Sequence, residues 1–269
     1  MEWRDSMGSF DHWTVTTEDY QLFFGCSREE LLKDWGKEHL NILKQKAYYR
    51  MLRRFPVVTD FAIRNMYCDE DVTCEAISGY SYDFFQNLER QLNEIKDTDP
   101  VLLNLQKYYP NKNICVLDYG CGAGRYAIWA KMLGYERVEA ADVPNRSFQF
   151  LRYLCNKNGL NIIFREMNQE LCYLDHPIDF LINNEVMEHV FAPEKVIKHL
   201  IRMVRLNGIA YISTFFNNIY LEDPSHLEHN QKYQDDKLWF GLLESLGLQK
   251  EFTDQNGVHK GWRRVKQVD

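Results

Sequence analysis

The sequence contains no long apolar run and no export signal. Its most apolar stretches, such as residues 208–216, fall short of the roughly 18 residues that a membrane-spanning helix needs. The first residues, Met1 to Ser6, have neither the basic flank nor the apolar core of a secretory signal peptide. These absences predict a cytoplasmic protein without membrane insertion.

Paired cysteines and an excess of positive charge are also missing. The chain has seven cysteines, an odd number without a Cys-x-x-Cys pair, so free thiols are expected rather than a disulfide or zinc framework. The net charge is −7, against which a nucleic-acid partner would need strong local basic patches. The basic stretches at residues 44–54 and 260–266 are interpreted as solvated faces, so nucleic acid is not the expected partner.

The chain changes character at the turn-rich tetrapeptide 110–113, Pro-Asn-Lys-Asn. This change predicts a helical N-terminal cap over residues 1–110 and a second domain over residues 111–269. In the cap, a capping box that starts at Ser27 predicts a helix to about Arg54, and further helices are predicted over 82–95 and 100–108.

The N-terminal region is rich in aromatic residues, which two arrangements explain equally well. The rings line a lid over an apolar substrate pocket, or they form either helix–helix core or a dimer contact, so a homodimer stays open. The residues concerned are Trp3, Phe10, Trp13, Tyr20, Phe23, Phe24 and the run 80–85.

After the boundary, short apolar runs alternate with helical segments. Such alternation is typical of an α/β fold with a doubly wound, mostly parallel sheet covered by helices on both faces. The predicted strands cover 114–117, 138–141, 161–164, 178–182, 208–214, 248–252 and 258–265. The predicted helices cover 125–133 and 147–156, one that begins at Pro193, and one over 235–246.

A glycine-rich loop follows the first of these strands. Its spacing, Gly120-x-Gly122-x-Gly124, differs from the dinucleotide fingerprint G-x-G-x-x-G and lacks the Gly-Lys-Ser/Thr of a phosphate loop. Glycines there let a ligand lie against the backbone, and Asp118 at the strand end disfavours a phosphate. Asp142 ends the next strand, where an acid can accept both hydroxyls of a ribose. The loop and the acid together indicate a nucleoside cofactor without phosphates.

The ordered motifs resemble those of the class I S-adenosylmethionine-dependent methyltransferases. The resemblance is carried by residues 116–124 (Val-Leu-Asp-Tyr-Gly-Cys-Gly-Ala-Gly), Asp142, residues 179–190 and the Arg-Leu-Asn-Gly of 205–208, where the family typically has Lys-Pro-Gly-Gly. It covers about residues 111–269. It implies a Rossmann-like, seven-stranded sheet whose last strand is antiparallel, and S-adenosyl-L-methionine as the cofactor.

The resemblance also implies roles for individual residues in binding the cofactor. Asp118 with Gly120, Cys121, Gly122 and Gly124 would hold the methionine part, and Cys121 has no nucleophilic role in the family. Asp142 would bind the ribose, Val143 would lie beside the adenine, and Asn168 would lie near the adenine amino group. Asn183, Asn184 and Glu185 would line the cofactor after the fourth strand. One departure concerns the adenine contacts, because the family often has an acid where this chain has Met167.

Glu185, Glu188 and His189 follow the fourth strand beside the expected methyl group. If the chain turns helical there, the three side chains share one face and can act as a base or bind a hard divalent ion. The Glu-x-x-Glu-His pattern is similar to that of ubiquinone-biosynthesis O-methyltransferases and of small-RNA terminal 2′-O-methyltransferases, both of which use it with a metal. The same pattern occurs in family members without a metal, so the metal is left open.

A second pair of histidines, His226 and His229, follows the fifth strand on the expected substrate-side loop. His226 is a candidate catalytic residue, whereas packing or capping of the next helix is an equally good explanation for either histidine. The expected function is methyl transfer to a hydroxyl of a small-molecule acceptor. The alternatives are an RNA 2′-O-methyltransferase and a cofactor-binding protein without transfer activity.

Overall fold

A computed structural model gives the arrangement of most of the second half of the chain and parts of the first. It describes residues 15–24, 29, 53–54, 88–167, 170–214, 216, 227–253 and 260–267. The predicted helix over 27–54 lies almost wholly outside these residues, although Glu29, Arg53 and Arg54 are helical. Phe84 and Phe85 of the predicted helix 82–95 also lie outside them.

One seven-stranded sheet forms the centre of the described structure. Its strands are β1 (Cys115–Tyr119), β2 (Arg137–Asp142), β3 (Ile163–Glu166), β4 (Ile178–Asn184), β5 (Val204–Ser213), β6 (Leu248–Thr253) and β7 (Lys260–Arg264). They are ordered β3-β2-β1-β4-β5-β7-β6. The first five strands are parallel, while β7 is antiparallel to both β5 and β6. The predicted doubly wound, seven-stranded sheet with an antiparallel last strand is therefore confirmed.

Seven α-helices and one 3₁₀ helix are defined in the described part of the chain. They are α1 (Thr17–Phe24), α2 (Leu88–Ile95), α3 (Pro100–Tyr108), α4 (Arg125–Met132), α5 (Arg146–Lys157), α6 (Pro193–Met203), the 3₁₀ helix (Glu228–Gln234) and α7 (Asp236–Ser245). Helix α3 illustrates why they begin where they do. Asp99 caps its N-terminus by accepting hydrogen bonds from the backbone of Val101 and Leu102 at 2.9 and 3.1 Å, and Pro100 occupies the first turn.

The sheet separates two apolar layers. Central strand β1 is buried along its whole length, as expected for a parallel strand covered on both faces. One layer contains Val116 of β1 together with side chains of α1, α3, α4 and α5, and the other contains Leu117 with side chains of α6 and α7. The carboxyl ends of the parallel strands therefore meet along one edge of the sheet, where ligand sites of such folds form.

The described part of the N-terminal region packs as core. Tyr20 of α1 is 0% exposed, and its ring lies 4.6 Å from that of Phe150 in α5. Phe23 contacts the rings of Phe150 and Tyr153, and Asp19 pairs with Lys157 at 2.6 Å. Tyr20 and Phe23 thus follow the helix–helix alternative, whereas Trp3, Phe10 and Trp13 lie outside the described residues and the side chain of Phe24 is not described.

No helix among the described residues has both the length and the apolar character needed to cross a membrane. The cytoplasmic location and the division at residues 110–113 stay predictions. Residues of α2 and α3, such as Leu92 and Val101, belong to the same apolar layer as α4 and α5, on the other side of that division.

Candidate active site

The glycine loop connects β1 to α4 and folds against the end of β2. Gly120, Gly122 and Gly124 have φ values of +69°, +52° and +75°, which are costly for residues with a side chain. The backbone amides of Gly120 and Cys121 both donate to the carbonyl of Ala141, at 2.8 and 3.1 Å. The loop therefore lies at the carboxyl edge of the sheet, as its sequence predicted.

The three glycines have different surroundings. A Cβ at Gly120 would lie 2.6 Å from Val186, and a Cβ at Gly124 would lie 2.3 Å from Leu151. A Cβ at Gly122 would meet no atom within 4 Å. The loop thus packs tightly at its two ends and faces open space only at Gly122.

Asp142 joins the end of β2 to this open part of the loop. Its Oδ2 accepts a hydrogen bond from the backbone of Gly122 at 2.6 Å, and its Oδ1 accepts one from Val143 at 2.7 Å. Asp142 is 8% exposed, which places a nearly buried negative charge beside the space at Gly122.

Asp118 lies deeper in the structure than Asp142. Its Oδ2 accepts a hydrogen bond from the backbone of Ala127, which ties the end of β1 to the first turn of α4. Burial, with a smaller contribution from the charge of Asp142, raises the pKa of Asp118 to about 7. The hydrogen bond from Ala127 acts against this rise without cancelling it. The described contact is structural, and a role toward the methionine part stays a prediction.

Cys121 is a thiol within the loop rather than a reactive thiolate. Burial raises its pKa well above the ordinary value, and the charges of Asp142 and Asp118 add to that effect. Its Sγ lies 3.9 Å from the carbonyl of Gly122. This protonated state agrees with the absence of a nucleophilic role that the resemblance implied.

The segment after β4 is a bend and a turn, so the helix on which the shared face depended is not formed there. Glu185 has a φ of +54°, and its amide donates to the carbonyl of Ser213 in β5 at 2.8 Å, which keeps it at the sheet edge. The turn that follows is closed by His189 donating to the carbonyl of Val186 at 3.0 Å. A left-handed residue interrupts the helical period, so the i, i+3, i+4 spacing no longer places these side chains on one face.

The acidic and imidazole groups of this turn differ in exposure. Glu185 is exposed, Glu188 is 1% exposed and His189 is half-buried. Among the described residues, the group of three metal-ligating side chains whose ligand atoms lie within 4.8 Å of one another is Cys115, Glu139 and His176, which does not include this turn. The predicted roles of Glu185, Glu188 and His189 in catalysis therefore stay predictions.

Asn168 and His226 lie outside the described residues, so their predicted roles stay predictions. His229 is described, and it packs rather than faces a ligand. Its Nε2 hydrogen-bonds to the carbonyl of Phe191 at 2.7 Å, and its ring lies 5.1 Å from that of Phe191. His229 thus packs on Phe191, in an earlier segment, rather than on the following helix, whose N-terminus is capped by Asp235.

Buried polar groups without partners mark the carboxyl ends of β4 and β5. Asn183 and Ser213 are both 0% exposed, and neither the amide of Asn183 nor the hydroxyl of Ser213 has a hydrogen-bond partner among the described residues. The same holds, within that part of the chain, for the Oδ1 of Asn184, which pairs with Ser213 in the strand register. Such groups are rare in folded proteins and are costly unless a ligand or water complements them. None of the sequence motifs includes Ser213, although a polar residue at the end of a buried apolar run is a usable signal of a site.

A model of one protein family, described as a methyltransferase domain, matches residues 87–253, more than half of the chain. The chain belongs to this methyltransferase family. The class that its motifs resemble, the S-adenosylmethionine-dependent methyltransferases, is confirmed at the level of the family.

The curated relatives of this methyltransferase match it over part of their length. A ubiquinone biosynthesis O-methyltransferase of Pelagibacter ubique is 30% identical over 39% of this chain and 43% of that protein. A ribosomal protein L11 methyltransferase of Thermotoga maritima is 34% identical over 39% of this chain and 40% of that protein. The chain therefore spans less than half the length of these relatives, and their names specify different acceptors.

Solved structures similar to this methyltransferase include the 1,6-didemethyltoxoflavin-N1-methyltransferase of Burkholderia thailandensis. The similarity has a TM-score of 0.47 with 18% identity, and it covers 71% of this chain and 90% of that one.

The described residues of the methyltransferase fit S-adenosylmethionine, the cofactor of its class. Gly122 leaves room for a ligand where a side chain would fill it, and Asp142 offers carboxylate oxygens beside that room. Val143 lies directly after Asp142, and the Oδ1 of Asn184 at the same edge has no partner in the part of the chain that the structure describes. The loop offers neutral amides and carboxylates but no lysine or arginine to bind a phosphate. Such a site suits a cationic nucleoside without phosphates.

Proposed function

We propose that this methyltransferase transfers a methyl group from S-adenosylmethionine to a hydroxyl group of a small molecule. The observation that carries the proposal is the open space at Gly122 with the carboxylate of Asp142 bonded to its amide. Bound S-adenosylmethionine supplies an activated methyl group on a sulfonium ion. The curated relatives that are named O-methyltransferases favour a hydroxyl as the acceptor.

The residues of the chain would position the cofactor and the acceptor, exclude water from the site and accept the proton of the acceptor hydroxyl. The packed ends of the loop at Gly120 and Gly124 fix the backbone against which the cofactor lies. Val186 closes the space above Gly120 and lies in the turn that carries His189. We assign to half-buried His189 the removal of the proton from the acceptor hydroxyl.

The test is transfer of labelled methyl from S-adenosylmethionine to a panel of phenols, sugars and a short RNA, with and without Mg²⁺. Calorimetric titration of the same protein with S-adenosylhomocysteine measures cofactor binding separately. Methylated phenol or sugar supports the proposal. Methylated RNA alone would favour the RNA 2′-O-methyltransferase, and binding without any transfer would favour the cofactor-binding protein.

Substitution of His189 tests its role. His189→Ala should lower turnover at least about a hundredfold, the usual contribution of a general base, while cofactor affinity stays within about twofold. His229→Ala is the matched control, since His229 is an exposed histidine that packs on Phe191 in the neighbouring segment. Equal turnover of the two variants at neutral pH would remove His189 from the reaction.

A further inference from the structure

The turn after β4 is held by a distant part of the chain, the segment that leads into the 3₁₀ helix. The backbone amide of Leu227 donates to the carbonyl of Glu188 at 3.1 Å, and the side-chain amide of Asn230 donates to the carbonyl of Val190 at 2.7 Å. The same Nδ2 of Asn230 lies 3.4 Å from the carbonyl oxygens of Met187 and Glu188. Leu227 and Asn230 belong to one turn, because the backbone amide of Asn230 donates to the carbonyl of Leu227 at 2.9 Å.

The peptide group directly before His189 is bonded at both of its polar atoms. Its carbonyl, which belongs to Glu188, accepts the hydrogen bond from Leu227. Its N–H, which belongs to His189, donates to the carbonyl of Val186 at 3.0 Å. Because a peptide group is planar, two hydrogen bonds at its opposite ends fix its orientation.

The peptide group after Val190, the residue that follows His189, is bonded in the same way. Its carbonyl accepts the hydrogen bond from Asn230, and its N–H, which belongs to Phe191, donates to Oε1 of Glu170 at 2.7 Å. His189 and Val190 therefore lie between two fixed peptide groups. Two of the four partners, Asn230 and Glu170, act through their side chains, so a substitution can remove these bonds.

Asn230 is placed to donate hydrogen bonds rather than to fill space. It is 1% exposed, and its Oδ1 has no hydrogen-bond partner among the residues that the structure describes. The atoms that its Nδ2 faces are all carbonyl oxygens, which need a donor. A buried amide oxygen without a partner is costly, and a leucine of similar size would avoid that cost. The donor is therefore the property of Asn230 that stabilises the turn.

We propose that Asn230 is a positioning residue for methyl transfer and that it acts through His189. By holding carbonyls on both sides of His189, Asn230 keeps the backbone of this residue in the orientation from which the imidazole removes the acceptor proton. This proposal rests on the proposed function, in which His189 is the proton acceptor. Fixed geometry matters there, because a displacement of about 1 Å can cost an enzyme roughly a hundredfold in rate.

Asn230→Leu tests the proposal, because it keeps the size of the side chain and removes the donor. Turnover is measured with labelled S-adenosylmethionine and the phenol or sugar that the natural chain methylates fastest, and it should fall at least about tenfold. The KM for that compound and the affinity for S-adenosylhomocysteine should stay within about twofold, since a positioning residue affects the reaction step rather than binding.

Tyr233→Phe is the matched control. Tyr233 lies in the same 3₁₀ helix, and its hydroxyl donates to Glu194 in the first turn of α6. The variant thus removes a hydrogen bond of this helix that does not involve a peptide group beside His189, and turnover should stay within about twofold. Urea unfolding of both variants checks that they fold and compares their stabilities.

Two further variants separate positioning from general loosening. In a His189→Ala background, Asn230→Leu should change turnover by less than about twofold, because the group through which it acts is already absent. Asn230→Asp keeps the shape of the side chain and offers a donor only when its carboxyl group is protonated. The ratio of its turnover to that of the natural chain should therefore rise as the pH falls. This variant carries the test if Asn230→Leu does not fold.

Several results would overturn the proposal. They are turnover of Asn230→Leu close to that of the natural chain, an equal loss in Tyr233→Phe, a loss that persists in the His189→Ala background, or a turnover ratio for Asn230→Asp that does not depend on pH.

Failure of the proposed function is a separate result, in which the natural chain methylates no compound of the panel or His189→Ala keeps full activity. The role of Asn230 is then decided by the NMR signal of the Cε1–H of His189, which is assigned by its absence in His189→Ala. The signal should shift in Asn230→Leu and stay unchanged in Tyr233→Phe. An unshifted signal in Asn230→Leu would show that Asn230 does not position His189.

Discussion

The three glycines of the loop are required for different reasons. Gly120 and Gly124 are needed because Val186 and Leu151 occupy the space of a side chain, whereas Gly122 is surrounded by open space. The same sequence motif thus contains two glycines that packing requires and one that leaves open space, where we expect the ligand. Substitutions should separate these two roles.

Gly122→Ala should weaken the binding of S-adenosylhomocysteine at least about tenfold and cost roughly 1–2 kcal/mol of stability. The added methyl would occupy the space beside Asp142, and the φ of +52° is strained for alanine. Calorimetric titration measures the affinity, and unfolding in urea measures the stability.

Two other glycines serve as controls for this prediction. Gly134→Ala has the same kind of backbone strain, with a φ of +88° and no atom within 4 Å, but it lies after α4 and should not change affinity. Gly120→Ala should lose more stability than either, because its Cβ would lie 2.6 Å from Val186. Unchanged cofactor affinity in Gly122→Ala would mean that the ligand does not approach the loop there.

At the scale of elements, α1 is attached to α5 by buried rings and an ion pair. Tyr20 contacts Phe150, and Asp19 accepts hydrogen bonds from Lys157 at 2.6 Å and from the hydroxyl of Tyr153 at 2.8 Å. These hydrogen bonds hold the pKa of Asp19 below its ordinary value although burial acts to raise it. Helix α1 is therefore part of the core of the domain.

Tyr20→Ala should destabilise the chain by about 3–5 kcal/mol, since it removes a fully buried aromatic side chain. Leu22→Ala in the same helix should cost less than about 0.5 kcal/mol, because Leu22 is 73% exposed. Urea unfolding of both variants measures the difference. Equal stabilities would show that α1 does not contribute to the core.

The turn after β4 is the element that local pattern failed to predict. The spacing of Glu185, Glu188 and His189 is helical, but the hydrogen bond between Glu185 and Ser213 of β5 holds the chain in a bend. That partner is 28 positions away in the sequence, so no local signal could reveal it. The tertiary contact outweighs the helical periodicity here. The side chains therefore do not share the helix face that the spacing suggested.

At the scale of the whole molecule, two buried acids at different depths of the sheet give stability a pH dependence. Burial raises the pKa of Asp118 to about 7, so the folded state keeps a proton that the unfolded chain loses near pH 4. Glu139 behaves in the opposite way. Burial acts to raise its pKa, but hydrogen bonds from Arg165 and Arg137 hold it below the ordinary value.

The stability of the cofactor-free chain should fall as the pH rises from about 5 to 7, because over that range the unfolded state binds fewer protons than the folded state at Asp118. The full shift corresponds to roughly 4 kcal/mol at about 1.4 kcal/mol per pKa unit. In Asp118→Asn, which keeps an oxygen acceptor for the amide of Ala127, this fall should disappear.

Urea unfolding at several pH values measures the profile, with Glu244→Gln as a control at an exposed acid. Glu139 adds a separate loss of stability below about pH 4.5, as its carboxylate becomes protonated and loses its arginine partners. A natural chain and an Asp118→Asn variant with parallel profiles between pH 5 and 7 would show that Asp118 is ionised in the fold throughout.

The sequence by itself determined the order of strands and helices, the glycine loop and the acid at the end of β2. These features depend on local properties: buried apolar runs, glycine at strained backbone positions, and the alternation of strand-like and helical spacing of apolar residues. The tertiary structure alone decided which glycine faces open space and that the segment of Glu185 to His189 is a bend and a turn. It also buried Asn183 and Ser213 without hydrogen-bond partners among the described residues. It also decided that Lys260, far along the chain, lies near Phe216 and Trp239. Each of these outcomes depends on which distant segments the sheet brings together, and the register between strands is set by packing across the whole fold.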